Sequence, residues 1–274
     1  MPRRPRTIAT VNRRHPLNVG RVSWWLTLPH LAGTATWYDI MGSNHGALTS
    51  MANSSNGWRP TTRPGGWGSM LFDGSAGNIA TPVPFNFQDN APFSVAAWAK
   101  TTSGSGTIFS TFAYQGYAGV IFLIGSTITG DLAVVVSDSN FSGRFVYGYN
   151  GGVNDGKWHR LGFSYSGAQA ASGISIYVDG KSIGASVREN SNPGTLANTN
   201  AYIGRSGGGS LPIFFPGYLD DIPIWSRALS PAEVLADYQL SMMGYPGVLN
   251  FREVRGYESA VAPAYAGYNM MFGA

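Results

Sequence analysis

Gly217-Tyr218-Leu219-Asp220-Asp221-Ile222-Pro223-Ile224-Trp225-Ser226-Arg227-Ala228-Leu229-Ser230-Pro231-Ala232-Glu233 is the stretch on which the reading of this chain turns. It reads as a last β-strand running directly into a helix. Ser230 is a suitable N-cap, Pro231 fits the first helical position, and Glu233 completes a capping box with the serine. Val234, Leu235 and Tyr238 follow on one apolar face, and Gly244 can end the helix.

Upstream, the pattern is of strands. Ser94 to Lys100, Thr107 to Phe112, Asp131 to Val136 and Ile174 to Val178 alternate with the period of two that half-buried strands show. Asp179-Gly180 predicts a tight hairpin, because both residues tolerate the positive φ of a type I′ turn. Thirty-seven Gly and sixteen Pro in 274 residues, with only 12% charged residues, suit short strands joined by turns. Eight Trp among 13% aromatic residues supply the bulk for a two-sheet core. There is no cysteine, which excludes disulfides, thiolate metal sites and a catalytic thiol. The longest apolar run, Ala118 to Ile124, is too short to cross a bilayer as a helix.

Several segments occur in a recognisable order. Trp24-Trp25-Leu26 leads to Asp39-Ile40-Met41-Gly42-Ser43-Asn44-His45-Gly46, an aspartate-turn-glycine connection. Met70-Leu71-Phe72-Asp73-Gly74 and Phe93-Ser94-Val95-Ala96-Ala97-Trp98-Ala99-Lys100 follow. Lys157-Trp158-His159-Arg160-Leu161, Ile176-Tyr177-Val178-Asp179-Gly180 and the Gly217 segment complete the set. In this order the chain resembles the laminin-G-like jelly rolls of the concanavalin A-like lectin/glucanase superfamily over roughly residues 22 to 240. The resemblance implies an all-β, two-sheet antiparallel jelly-roll sandwich with one short C-terminal helix. Trp98, Phe72, Leu161 and Tyr177 are expected to be buried in it.

Two terminal arms flank this body. Residues 1 to 21 carry Arg3, Arg4, Arg6, Arg13, Arg14 and Arg21, a third of all the Lys and Arg, and no acid. The remaining twelve basic and fourteen acidic residues leave the rest of the chain at −2, so the basic character belongs to the arm. No secretory signal is recognisable in it, so the expectation is a protein made and kept in the cytoplasm, or a virion component assembled there. Residues 241 to 274 form a tail rich in Gly, Tyr and Met. Arg3, Arg4, Arg6, Arg13 and Arg14, with Tyr265, Tyr268 and Phe272, are the candidate assembly contacts. Arg, Tyr and Met are types enriched where protein surfaces meet.

The superfamily holds both sugar-cleaving enzymes and non-catalytic modules, so fold does not decide function. Its glucanases carry two glutamates and an aspartate at alternating positions of one strand. Glu189, Glu233, Glu253 and Glu258 are the only glutamates here, and no Glu-x-Asp-x-Glu or Glu-x-Asp-x-x-Glu occurs. A catalytic role is therefore not expected. Related folds often hold calcium through an aspartate of the last strand, which implies Asp220 or Asp221 as a ligand, with Asp73, Asn78 and backbone oxygens making up the six to eight oxygens required. His159, between Trp158 and Arg160, is read as a hydrogen-bonded structural residue. His15, His30 and His45 lack metal-ligand spacing. Gly180-Lys181-Ser182 has no glycine five positions earlier and lies in a hairpin, so it is no phosphate loop. Tyr114, Tyr117, Tyr147 and Tyr149 are a candidate sugar-stacking platform.

The expected function is that of a non-catalytic structural subunit of a virion, decorating a capsid or forming part of a fibre or tail, self-associated or bound to capsid or tail protein. The rival reading is a carbohydrate-binding adhesion module at a cell surface, and glycoside hydrolysis ranks last. Neither a nucleic-acid nor a membrane partner is expected.

Overall fold

The computed structural model describes residues 6–28, 34–51, 57–60, 62–85, 87–111, 118–125, 130–138, 142–148, 152–193, 196, 200–207 and 213–254, with side chains described for all but 6–8, 83–84, 200 and 252–254 of these. Two large antiparallel sheets face each other. The first runs in the order Ala185–Asn190, Gly143–Gly148, Leu132–Ser137, Gly119–Ile124, Gly106–Ser110, Asn200–Ile203, Asn78–Pro84, Gly46–Thr49 and Thr36–Trp37. The second runs Lys181–Ile183, Ile174–Val178, Trp158–Tyr165, Phe93–Lys100, Pro216–Asp220, Ser69–Asp73 and Trp58–Arg59. Ile222–Trp225 joins this second sheet beside Phe93–Lys100 and also pairs with Arg21–Trp25. This is the expected jelly-roll sandwich.

The strands alternate as the sequence predicts, and the inward positions interlock. Phe93, Val95, Ala97 and Ala99 from the second sheet meet Phe109, Val120, Phe122 and Val134 from the first in one large apolar cluster. Trp98, Phe72, Leu161 and Tyr177 are all buried. Trp98 lies on the other face of its strand from Ala97 and Ala99, where its indole N–H donates to Ser241 of the helix at 3.0 Å. Asp179, at φ 50°, and Gly180, at φ 76°, form the two-residue turn between Ile174–Val178 and Lys181–Ile183.

The helix spans Pro231–Met242 and starts as read: Ser230 Oγ accepts from the Glu233 amide and the Glu233 carboxylate accepts from the Ser230 amide. Gly244 follows its end at φ +75°. Its packing face differs from expectation. Leu235 is exposed, Val234 and Tyr238 are half-buried, and the residues fully buried are Asp237 and Ser241. The helix docks through polar atoms because the sheet surface beneath it carries buried arginines.

The terminal segments also differ from expectation. Arg6–Val11 pairs antiparallel with Leu249–Val254 as a two-stranded ribbon, Arg6 opposite Val254 and Val11 opposite Leu249. Ala9 and Val11 pack on a cluster of Trp24, Leu26, Leu28, Met41, Tyr245, Val248 and Leu249. The boundaries expected at residues 21 and 240 thus fall inside the folded body. Leu17, Arg21, Ser241 and Tyr245 are buried, and Leu17 accepts a hydrogen bond from the Trp225 indole at 2.7 Å.

Candidate functional site

Asp220 and Asp221, read as calcium ligands, are instead the centre of a buried ion cluster. In a regular strand, neighbouring side chains point to opposite faces. Here Asp221 adopts a left-handed φ of 57°, which interrupts the strand and turns both carboxylates to the same side. Aspartate is among the few residue types that tolerate this conformation. Arg63 meets both: its Nε lies 3.0 Å from Asp220 Oδ2, and its Nη2 lies 2.9 Å from Asp221 Oδ2, out of hydrogen-bond line. Asp220 Oδ1 accepts from the Thr27 amide at 2.9 Å. Asp221 Oδ1 accepts from the Trp24 indole at 2.7 Å, and its Oδ2 accepts from the Tyr245 hydroxyl at 2.8 Å.

Arg160 and Arg21 complete the cluster around Asp237 of the helix. Arg160 donates through Nε and Nη2 to Asp237 Oδ2, at 3.1 and 2.6 Å, and through Nη1 to the Asp221 carbonyl at 2.6 Å. Arg21 reaches Asp237 Oδ1 at 3.3 Å and lies over the rings of Trp24 and Trp225, 4.0 and 4.6 Å from their centroids. Three arginines and three aspartates balance to zero, as a buried cluster must, since an unpaired buried charge is prohibitively costly. Burial pushes Asp220 up to about 6, against the pull of Arg63. Burial likewise opposes ionisation of Asp221, but Arg160 and Arg63 outweigh it and hold that carboxyl below its usual range.

Asp73 is not brought to this cluster. It lies opposite Pro216 in the strand register, four residues from Asp220, on the order of 13 Å along a strand. Its carboxylate accepts from the amides of Ser75, Ala76 and Gly77 at 2.9 to 3.0 Å. Slight burial works against ionisation there, and these bonds outweigh it and hold the carboxyl below the usual range. Asn78 turns its amide onto the Ala76 carbonyl. Arginine and backbone donors thus meet the carboxylates read as calcium ligands. No cluster of three or more His, Asp or Glu suited to a metal occurs among the described residues.

His159 is structural but more exposed than expected. Its Nδ1 lies 2.8 Å from Asp179 Oδ2 and its Nε2 3.1 Å from Asp155 Oδ1 at the hairpin edge. Asp179, then Asp155, raises its pKa, with burial opposing. Of the assembly candidates, Arg13 donates to the Met41 carbonyl at 2.6 Å, Arg14 is exposed, and Arg6 begins the ribbon. Arg3, Arg4, Tyr265, Tyr268 and Phe272 lie outside the described residues, as do Tyr114, Tyr117 and Tyr149 of the stacking platform. Tyr147 packs with Phe145 on the outer face of the first sheet.

An opening at one end of the sandwich has the character of a ligand site. It is a cavity of about 500 Å³ between the Asp39–Asn44 turn and the segment from Phe85 to Phe93. Gly42, Ser43, Pro92 and Ser226 stand exposed at its mouth. Its floor is formed by Ser23, Asp39, Asn44 and the rings of Phe85, Phe87 and Phe93. The rings stack in sequence, Phe85 on Phe87 at 5.5 Å and Phe87 on Phe93 at 4.4 Å. Asp39 shapes the turn: Oδ1 accepts from the amides of Trp24 and Met41 at 2.8 and 2.9 Å, Oδ2 from that of Asn44 at 3.3 Å. The sequence showed the turn as a fold element only. The Phe85-Asn86-Phe87 alternation ahead of Pro92-Phe93 was the available signal for the cavity wall.

An antiparallel two-sheet sandwich closed by a capped helix, with a small aromatic-and-polar end cavity, defines a lectin-like domain. The chain belongs to the concanavalin A-like lectin/glucanases superfamily, whose family model matches residues 73–235. No curated protein is significantly similar to it. Among solved structures, the receptor binding domain of botulinum neurotoxin C/D mosaic serotype superposes with a TM-score of 0.56 at 13% identity, over 81% of this chain and 51% of that one. Trypanosoma rangeli sialidase, in complex with a difluoro-KDN, gives 0.53 at 16% identity, over 82% of this chain and 33% of the sialidase. A mutant of that sialidase displaying trans-sialidase activity gives 0.52, again at 16%, over 82% and 34%. The chain thus spans about a third to a half of the length of these relatives, and the likeness is one of fold.

Proposed function

We propose that this chain is a non-catalytic, glycan-recognising lectin-like module. The observation that carries the reading is the end cavity, whose size falls within the range of about 300–1,000 Å³ typical of small-molecule sites and whose lining is apolar and aromatic with a few polar groups. The placement of the acids supports a non-catalytic role. Asp220, Asp221 and Asp237 are engaged by arginines, Glu233 caps the helix, and Glu189 accepts from Ser191 Oγ at 2.6 Å. A glycosidase needs two carboxyl groups facing one sugar bond, about 5 Å apart for retention. The test is a glycan array probed with the full-length chain. Saturable binding to a defined glycan, without release of reducing sugar, is the expected result, and binding to none refutes the reading.

One observation favours a second role beside the first, that of a subunit in a larger assembly such as a virion. The ribbon of Arg6–Val11 and Leu249–Val254 sets Arg6 opposite Val254, so the two ends of the described body lie side by side, and the sequence beyond them carries Arg3, Arg4, Tyr265, Tyr268 and Phe272. Arginine and tyrosine are types enriched where protein surfaces meet. Co-purification with particles, lost on removing residues 255–274, is the expected outcome; retention in particles after that removal argues against it.

A further inference from the structure

Met243 and Phe251 are 63% and 45% exposed, and both lie close to the half-buried Trp67. The Phe251 ring is 5.6 Å from that of Trp67. Gly244, next to Met243, borders the same indole, where a Cβ would stand 3.6 Å from it. Met242 is 41% exposed, and its backbone packs against Gly65, two residues before Trp67. These residues form an uncharged rim on the cluster of Trp24, Tyr245, Val248 and Leu249, against which Trp67 packs. Isolated apolar residues on a surface are ordinary, but a contiguous group marks a place where something docks.

The strand register explains why Phe251 is left open. Residues opposite one another in an antiparallel pair share a face, as do residues two apart on one strand. Ala9 stands opposite Phe251, and Val11 opposite Leu249. Ala9, Val11 and Leu249 pack on the body, so Phe251 also lies on the inward face of the ribbon. The ribbon overhangs the body there, and Trp67 covers only part of the ring.

We infer that this rim receives residues 259–274 of a second copy of the chain. This rests on the assembly reading above and names both the partner and the place. The segment contains no Asp, Glu, Lys or Arg and carries Tyr265, Tyr268, Met270, Met271 and Phe272. It therefore brings apolar area to bury and no side-chain charge to desolvate. Methionine on both sides suits an irregular fit against rings, because its side chain is flexible and its sulfur attracts aromatics. The direction of the chain favours a second copy over the same one. From Phe251 the strand runs on to Val254, on the order of 10 Å from the rim, and leads away from Trp67. A donor segment and a receiving surface at different places on one chain make a head-to-tail contact, which closes into rings or extends as filaments.

The test adds a synthetic peptide of residues 259–274 to a chain ending after Glu258 and follows the Met242 and Met243 methyl groups and the Trp67 indole N–H by NMR. Sedimentation of the full-length chain over a range of concentrations runs beside it. Met243→Glu is the variant, since an exposed site accepts the change, and melting curves check that it folds. The peptide should shift all three signals saturably, and Met243→Glu should weaken it by about tenfold or more, because docking would bury an unpaired charge. The full-length chain should associate as concentration rises, while Met243→Glu and the chain ending after Glu258 stay monomeric. The inference is overturned if the peptide leaves the three signals in place or if Met243→Glu binds it as the parent does. A full-length chain that is monomeric at every concentration, with its Met243 signal already at the peptide-bound position, shows the rim filled by the chain's own segment and equally overturns the second copy. Particles that lose the chain when residues 255–274 are removed, yet retain Met243→Glu, keep the assembly reading and remove this surface from it.

Discussion

Arg160 grips a single oxygen of Asp237 with two nitrogens, Nε at 3.1 Å and Nη2 at 2.6 Å, and so ties the strand Trp158–Tyr165 to the helix across 77 residues of sequence. Asp237 Oδ1 is left to Arg21 at 3.3 Å, from a strand near the N-terminus, and to the Tyr245 hydroxyl at 3.4 Å. Three distant parts of the chain therefore converge on one carboxylate. A buried pair of this kind is weak evidence of net stabilisation, but removing one partner strands the other. Asp237→Ala should cost about 3–5 kcal/mol in denaturant unfolding, because Arg160 and Arg21 would both lose an acceptor. Asp237→Leu combined with Arg21→Met leaves two arginines facing two aspartates, so the cluster stays balanced, and this double change should cost less. Equal losses from the single and double changes would contradict this account.

Much of the fold was legible in the sequence for a local reason. The Ser230–Glu233 capping box, the Asp179-Gly180 turn and the alternation in Phe93–Lys100 are each specified within a few residues. The ion cluster was not legible, because Arg63 and Asp220 are 157 residues apart and nothing local marks Arg63 as buried. Asp220-Asp221 reads as a calcium pair only through the resemblance to folds that hold calcium with an aspartate of the last strand, and nothing near the pair in sequence shows the arginine that meets both. The helix face misled for a related reason. Apolar spacing pointed to Val234, Leu235 and Tyr238, while the surface beneath is arginine-bearing and selects Asp237 and Ser241.

Excess chelator should leave the melting temperature unchanged. A native-state ligand stabilises by mass action, so its removal must lower the midpoint. With Asp220 and Asp221 on Arg63, and Asp73 on three backbone amides, no such ligand is needed to balance these carboxylates. A drop in the midpoint reversed by added calcium would restore the metal site.

His159 sets a pH dependence. Its folded pKa lies above the ordinary 6.5 because Asp179 and Asp155 favour the imidazolium. A group raised on folding stabilises fully below its unfolded pKa, and that contribution fades as pH rises through the folded one. Stability should therefore decline from pH 6.5 upwards by an amount that His159→Gln abolishes. NMR titration should place the His159 midpoint above 6.5 and show it falling in Asp179→Asn. A midpoint at or below 6.5 would refute the Asp-His-Asp geometry.

Ser230→Ala should destabilise by about 1 kcal/mol, the usual loss for a serine N-cap. Its hydroxyl accepts from the Glu233 amide, and the paired Glu233 bond to the Ser230 amide remains, so Ser230→Asp should recover most of the loss. Urea midpoints measure both.

Tyr245 marks where the folded body ends, and truncation can read it directly. It lies beyond the helix, past a turn through Gly244, and is fully buried. Its ring meets Trp24 edge-on at 4.8 Å, and its hydroxyl donates to Asp221 Oδ2 at 2.8 Å. Burial, offset in part by Arg160, keeps that hydroxyl protonated far above the ordinary tyrosine range, so it serves as a donor at any physiological pH. Ending the chain after Val254 should leave the unfolding midpoint nearly unchanged, since every described packing contact is kept. Ending it after Gly244 removes Tyr245 with the buried Val248 and Leu249 and the strand paired with Arg6–Val11, so it should cost more than the about 3–5 kcal/mol of losing one aromatic core side chain, and it takes a hydrogen bond from Asp221 as well. Tyr245→Phe isolates the second effect and should cost about 1–3 kcal/mol, the penalty for leaving a buried acceptor short of a donor. If the chain ending at Gly244 unfolds at the same denaturant concentration as the one ending at Val254, Tyr245 is not part of the core.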